Sequence, residues 1–105
     1  MIAISGPYGG FGAGSQVNKY KVLADNLMVN VGKIYSEYLS KTNEAIKQQD
    51  KIVFKKVQEK ALLELTKLEE AKDQIPPAYQ KLADVVQSRI DELREKINRL
   101  PPEIS

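Results

Sequence analysis

The sequence predicts an all-α protein: an antiparallel helical hairpin over about 51–74 and 77–99, preceded by a long helix over about 16–48 and a Gly-rich arm. Two observations carry this. Apolar residues recur at steps of three and four over most of the chain, the period of a helix with one buried face. Two Pro-Pro pairs, Pro76-Pro77 and Pro101-Pro102, punctuate that pattern where helices must stop. The arrangement is a three-helix bundle or an extended, coiled-coil-like one.

Residues 1–14 stand apart as an arm or tail. Five of the six glycines lie there, with Ile2, Ile4, Tyr8 and Phe11 set among them and no charged side chain. Glycine lets backbone pass close to a packed surface, and four apolar side chains would enter pockets there. The stretch matches neither G-x-x-x-x-G-K-[ST] nor a strand followed by G-x-G-x-x-G, so it does not read as a phosphate loop. Ser15 is placed as the N-cap of the first helix.

The first helix carries Tyr20, Leu23, Leu27, Val31, Ile34, Tyr35 and Tyr38 on one stripe. Its tyrosines read as core or interface aromatics. Gly32 interrupts the stripe and reads as a site of close packing against a neighbouring helix. The stripe weakens across 40–43 and again across 47–51, without Gly, Pro or an S/T-x-x-E capping box. The expectation is a turn at one of these, although a helix running straight through fits the residues as well.

The hairpin is the most legible part. Phe54, Val57, Ala61, Leu65, Leu68 and Ala71 form one stripe, and Tyr79, Leu82, Val86, Ile90, Leu93, Ile97 and Leu100 the next. Folded about Pro76-Pro77, the two stripes mirror each other position by position, as helices of equal rise joined by a short turn must. Residues 15–100 therefore form one helical domain and 101–105 a short C-terminal tail. Ile52, Leu62, Leu63 and Val85 fall off the hairpin seam and need another helix or chain to cover them.

Composition narrows the chemistry. The chain has no Cys, His or Trp, which removes thiolate nucleophiles, imidazole bases and Cys/His zinc sites. The net charge of +2 is too small for a dedicated nucleic-acid binder. Charge is uneven: residues 1–60 hold nine Lys against five acids, and residues 61–105 seven basic residues against nine acids. Lys51, Lys55, Lys56 and Lys60 make i,i+4 rows that could contact phosphate. No stretch is apolar enough to span a membrane and no secretory signal is evident. A cytoplasmic protein, or one exported without a signal peptide, is expected.

The order Glu69-Glu70-x-x-Asp73 followed by Glu92-x-x-Glu95 loosely resembles the carboxylate pattern of all-helical nucleotide pyrophosphohydrolases of the MazG type. That resemblance would imply Mg²⁺ held between helices. The mirror register separates Glu70 from Glu92 by about 16 Å at ~1.5 Å per residue, whereas Mg²⁺ holds its ligands at about 2.0–2.1 Å. Solvated acidic faces are the better account. No catalytic residue, cofactor or metal is expected.

The reading is a non-enzymatic helical structural or interaction protein that self-assembles or docks on a larger complex. Its candidate contacts are Ile2, Ile4, Tyr8, Phe11, Leu63 and Val85. The alternatives are a small nucleic-acid-associated protein using the lysine rows and, least favoured, a carboxylate–Mg²⁺ hydrolase.

Overall fold

The computed structural model describes residues 12–104. It contains α1 (Gly12–Lys47), α2 (Lys51–Lys72), a single 3₁₀ turn (Pro77–Tyr79) and α3 (Gln80–Asn98). Among the described residues there is no strand. The all-α expectation holds, and on α1 Val31 is fully buried while Val29 is exposed. The arm residues Ile2, Ile4, Tyr8 and Phe11 lie outside the described residues.

α1 begins at Gly12, so Ser15 lies in its first turn and is not its cap. Each helical glycine costs about 1 kcal/mol against Ala, which weakens a helix but does not stop one. The polar stretch 40–43 is helical too. Thr42 is buried there and donates its hydroxyl to the Tyr38 carbonyl oxygen at 2.6 Å, the usual way a mid-helix Thr satisfies itself.

The chain turns at 48–50, the second of the two candidate stretches. Gln49 takes φ 54°, the left-handed region. Its N–H donates to the Ile46 carbonyl, and the Asp50 N–H donates to the Ala45 carbonyl at 2.9 Å. These two bonds make a Schellman C-terminus, a motif that glycine usually completes. Asp50 then serves the next helix at once, its carboxylate accepting from the Val53 N–H at 3.0 Å.

The second turn follows the proline argument. α2 ends at Lys72, Pro76 is extended, and Pro77 opens the 3₁₀ turn that leads into α3. Ile75 is buried and plugs the end of the bundle.

α3 runs antiparallel to α2 and therefore parallel to α1. Two contacts give the parallel register. The rings of Tyr20 and Tyr79 lie 5.4 Å apart, and the Tyr38 hydroxyl donates to the Ile97 carbonyl at 3.3 Å; both pairs are 59 residues apart. The Ile97 carbonyl also accepts from the Gln58 side-chain amide at 2.7 Å. A carbonyl in the last turn of a helix has no partner within that helix, and here α1 and α2 both supply one.

The polar pairs that bridge α2 and α3 join Glu69 to Gln87 and Arg94, and Lys72 to Gln87. Each partner lies further along α3 than the mirror rule alone places it. Side chains lean toward the N-terminus of their own helix. In an antiparallel pair they lean past one another, so long side chains meet partners displaced in this direction.

The main core joins Leu27 and Val31 of α1 to Leu65 of α2 and to Val86, Ile90, Leu93 and Ile97 of α3. Phe54 sits elsewhere, with Ala45 and Ile104 in a second cluster. The segment after Pro101-Pro102 thus returns a side chain to the bundle: Ile104 is buried, and its N–H donates to the Pro101 carbonyl at 3.0 Å.

A lysine-rimmed groove between α1 and α2

α3 covers one side of the α1–α2 pair. On the other side two clefts, of about 330 and 150 Å³, share Ile34, Glu37 and Glu64 and so form one continuous groove. Its floor is apolar: Ile34 and Tyr38 from α1, and Val57, Ala61 and Leu68 from α2. Its sides carry Lys33 and Lys41 from α1 and Lys56, Lys60 and Lys67 from α2, against the two glutamates. Helix periodicity explains this. Each helix buries a narrow stripe, and the positions flanking that stripe line the seam with the neighbouring helix.

The charges of the groove are mostly unpaired within the chain. Lys41 lies 3.5 Å from Glu37. Among the described residues, Lys33, Lys56, Lys60 and Lys67 have no carboxylate within ion-pair distance. Tyr38 reaches the floor from the core side. Burial, with a smaller contribution from neighbouring Tyr35, pushes its phenol above the ordinary value of 10.0.

The predicted lysine set is divided by this geometry. Lys56 and Lys60 line the groove, whereas Lys51 and Lys55 are exposed and lie outside it. At about 100° per residue the two i,i+4 rows point more than a third of a turn apart. Lys33, Lys41 and Lys67 were not singled out from the sequence. The signal was there in principle: reflecting α1 and α2 about residues 48–50 brings these lysines to one seam, but that needs the position of the turn. Gly32 is also corrected. It is exposed, and a Cβ built there meets nothing within 4 Å, so no neighbouring helix packs on it.

Leu63 and Val85 are 56% and 57% exposed, and Ile52 is 70% exposed. Leu62, by contrast, packs against the main core. Tyr20 and Tyr35 are half-buried aromatics at the α1–α3 seam, Tyr35 with the Lys96 ammonium 5.8 Å from its ring centre.

The carboxylates of the acidic motif are spread over the surface. Glu69 accepts two hydrogen bonds from the Arg94 guanidinium, each 3.1 Å, and one from Gln87. These bonds hold its carboxyl below the usual range against the smaller effect of burial, with lesser help from the Arg94 and Lys72 charges. Glu92 is held low chiefly by its hydrogen bond from Arg89, and Lys96 lies 3.4 Å away. Glu70 is exposed. Among the described residues, no three metal-ligating side chains converge, and no helix is long and apolar enough to cross a membrane.

A further cleft of about 650 Å³ lies at the opposite end of the bundle from the α1–α2 turn, lined by Lys21 and by residues 77–82. Comparison with protein-family models, curated proteins and solved structures finds no match to this chain.

Proposed function

We propose that this protein is a non-enzymatic helical interaction module that self-assembles or docks on a larger complex through its helix faces. Residues Ile2, Ile4, Tyr8 and Phe11 would act as an N-terminal arm. The α1–α2 groove carries the reading. A long seam with an apolar floor and charged sides is the geometry in which an amphipathic helix docks: its apolar face meets the floor and its charged flanks meet the sides. Leu63 and Val85 extend the apolar surface on neighbouring faces. The acidic motif supports the same view, since Glu69 is engaged in bridging α2 to α3 and Glu92 in a hydrogen bond from Arg89 within α3.

The lysines also suit phosphate, the second reading of the sequence. Glu37 and Glu64 in the middle of the groove disfavour it, because a polyanion laid along the seam would meet both.

The test is the mass in solution across concentration, for the full chain and for a chain lacking residues 1–14. The expected result is a mass that rises with concentration and rises less in the truncated chain. Leu63→Asp should weaken association by at least tenfold. If the truncated protein associates with unchanged affinity, the arm has no part in it. If Leu63→Asp also changes nothing, the apolar faces have none either.

A further inference from the structure

Two rows of opposite charge stand on different faces of this bundle with matching spacing. On α2, Lys56, Lys60 and Lys67 follow one another at four and then seven residues. On α3, Asp84, Asp91 and Glu95 follow at seven and then four. All six side chains are exposed. At about 100° per residue each row stays within about 40° of arc, so each is a straight edge and not a spiral. The steps are about 6 and 10.5 Å at ~1.5 Å per residue. Laid antiparallel, the rows coincide: Glu95 meets Lys56, Asp91 meets Lys60 and Asp84 meets Lys67. A parallel alignment brings at most two of the three pairs together.

The rows cannot meet within one chain. The three lysines line the α1–α2 groove, whereas the α3 row lies beside the α2–α3 seam, where Asp91 accepts from Gln87 and shares Arg94 with Glu69. We infer that α3 of a second copy of this chain lies along the lysine edge of the groove, outside its apolar floor, antiparallel to α2 and held in register by these three pairs. This rests on the interaction-module reading and names its partner and its register.

Within α3 the acidic row is only lightly engaged. Asp84 accepts from the Gln80 amide, Asp91 lies 3.5 Å from an Arg94 already committed to Glu69, and Glu95 pairs with Arg99 on the exposed surface. Exposed pairs of this kind exchange readily for others. Leu63 lies on α2 between Lys60 and Lys67, so the incoming helix also covers an apolar side chain that is now 56% exposed.

The symmetry has a consequence. Each copy offers one lysine row and one carboxylate row on different faces, so the contact is heterologous. Heterologous contacts build rings or open chains and cannot close as a two-fold dimer.

Neutral variants of the full chain test this by sedimentation equilibrium. One carries Lys56→Gln, Lys60→Gln and Lys67→Gln; the other carries Asp84→Asn, Asp91→Asn and Glu95→Gln. Both should keep the parent's helical circular dichroism, since all six positions are exposed. The parent should grow past two copies as concentration rises, and association should weaken as added salt shortens the screening length from about 10 Å at 0.1 M to about 3 Å at 1 M. Each variant alone should associate at least tenfold more weakly. Mixed in equal amounts, they should form a one-to-one pair and stop, because each retains only one intact row. A parent that stops at a dimer, or a mixture that grows beyond a pair, overturns the heterologous register. Variants that associate as the parent does overturn the lysine–carboxylate contact while leaving the interaction-module reading standing. A parent that stays monomeric at low salt up to millimolar concentration overturns self-association itself, and the module reading then depends on docking to another protein.

Discussion

Replacing Gly32 by Ala should stabilise the protein. Gly32 lies deep inside α1, fifteen residues from its C-terminal end at Lys47. Its backbone is helical, it is exposed, and the added methyl would meet no atom within 4 Å. No packing term therefore opposes the change, and the helix-propensity difference should appear nearly whole. That difference is about 0.8–1.0 kcal/mol in a helix interior, most of it entropy that the unfolded glycine chain would otherwise retain. For a domain of this size, about 1 kcal/mol corresponds to a rise in Tm of roughly 4–8 °C. Thermal and urea unfolding, followed by helical circular dichroism, would measure it at a concentration low enough to keep the chain monomeric. The sequence alone suggests the opposite sign, since a glycine that admits a neighbouring helix makes Ala an intruder costing roughly 1–3 kcal/mol. A lowered Tm in the monomer would refute the structural account of α1. A gain in the monomer together with loss of association would place Gly32 in the contact with another chain.

Three further changes probe other parts of the fold. Leu65 is fully buried at the centre of the main core, so Leu65→Ala should cost about 2–5 kcal/mol in urea unfolding; a cost below ~0.5 kcal/mol would mean that the site is not enclosed. Gln49→Gly should stabilise by up to roughly 1 kcal/mol, because φ 54° strains any side chain; an unchanged midpoint would show that the turn has another conformation. Glu69→Gln should destabilise at pH 7 by about 1 kcal/mol or less, given that the Glu69–Arg94 pair is partly exposed. Because hydrogen bonds hold the folded Glu69 carboxyl low, its stabilisation is present above the unfolded value of about 4.3 and is lost as pH falls through the folded value. The difference between parent and variant should therefore close in acid, and a difference constant from pH 7 to pH 2 would show that the Glu69 charge plays no part.

The legible parts of this fold are those where a local covalent property decides the outcome. Pro76 cannot donate and biases Ile75 away from helix, so the second turn could be placed within two residues of its observed start. The i,i+4 pairs Glu37–Lys41, Glu92–Lys96 and Glu95–Arg99 form as their spacing indicates. The first turn obeys a different rule. Gln49 has little intrinsic preference for the left-handed region, and it is held there because Ala45 and Ile46 must direct their carbonyls to the chain that reverses over them. The one local signal was Asp50, an N-cap residue of a type outside the S/T-x-x-E pattern. Gly32 misled for a related reason. A glycine on a stripe edge looks the same in sequence whether a helix crosses it or water does, and only the placement of α2 and α3 distinguishes the two.

The lysine groove was hidden by that same missing turn, and its charge shows how a linear imbalance becomes a spatial one. The excess of lysine in residues 1–60 belongs to α1 and the first half of α2, while the small excess of acids in residues 61–105 belongs to the second half of α2 and to the residues flanking α3, which itself balances its acids and bases but gathers Asp84, Asp91 and Glu95 into one row. Had the chain run straight through residues 47–51, the two excesses would lie at opposite ends of a rod and would orient it end to end. With the turn at Gln49, α2 folds back and stands between α1 and α3. Lys56, Lys60 and Lys67 then join Lys33 and Lys41 on one side of α2, and Glu69 faces Arg94 on the other. The lysine row of α2 and the carboxylate row of α3 now stand on different faces of one bundle. Faces of opposite sign set side by side around a bundle favour lateral contact between copies, because two helices laid along each other can pair charges at every turn or two, whereas rods meeting at their tips can pair only the few residues there.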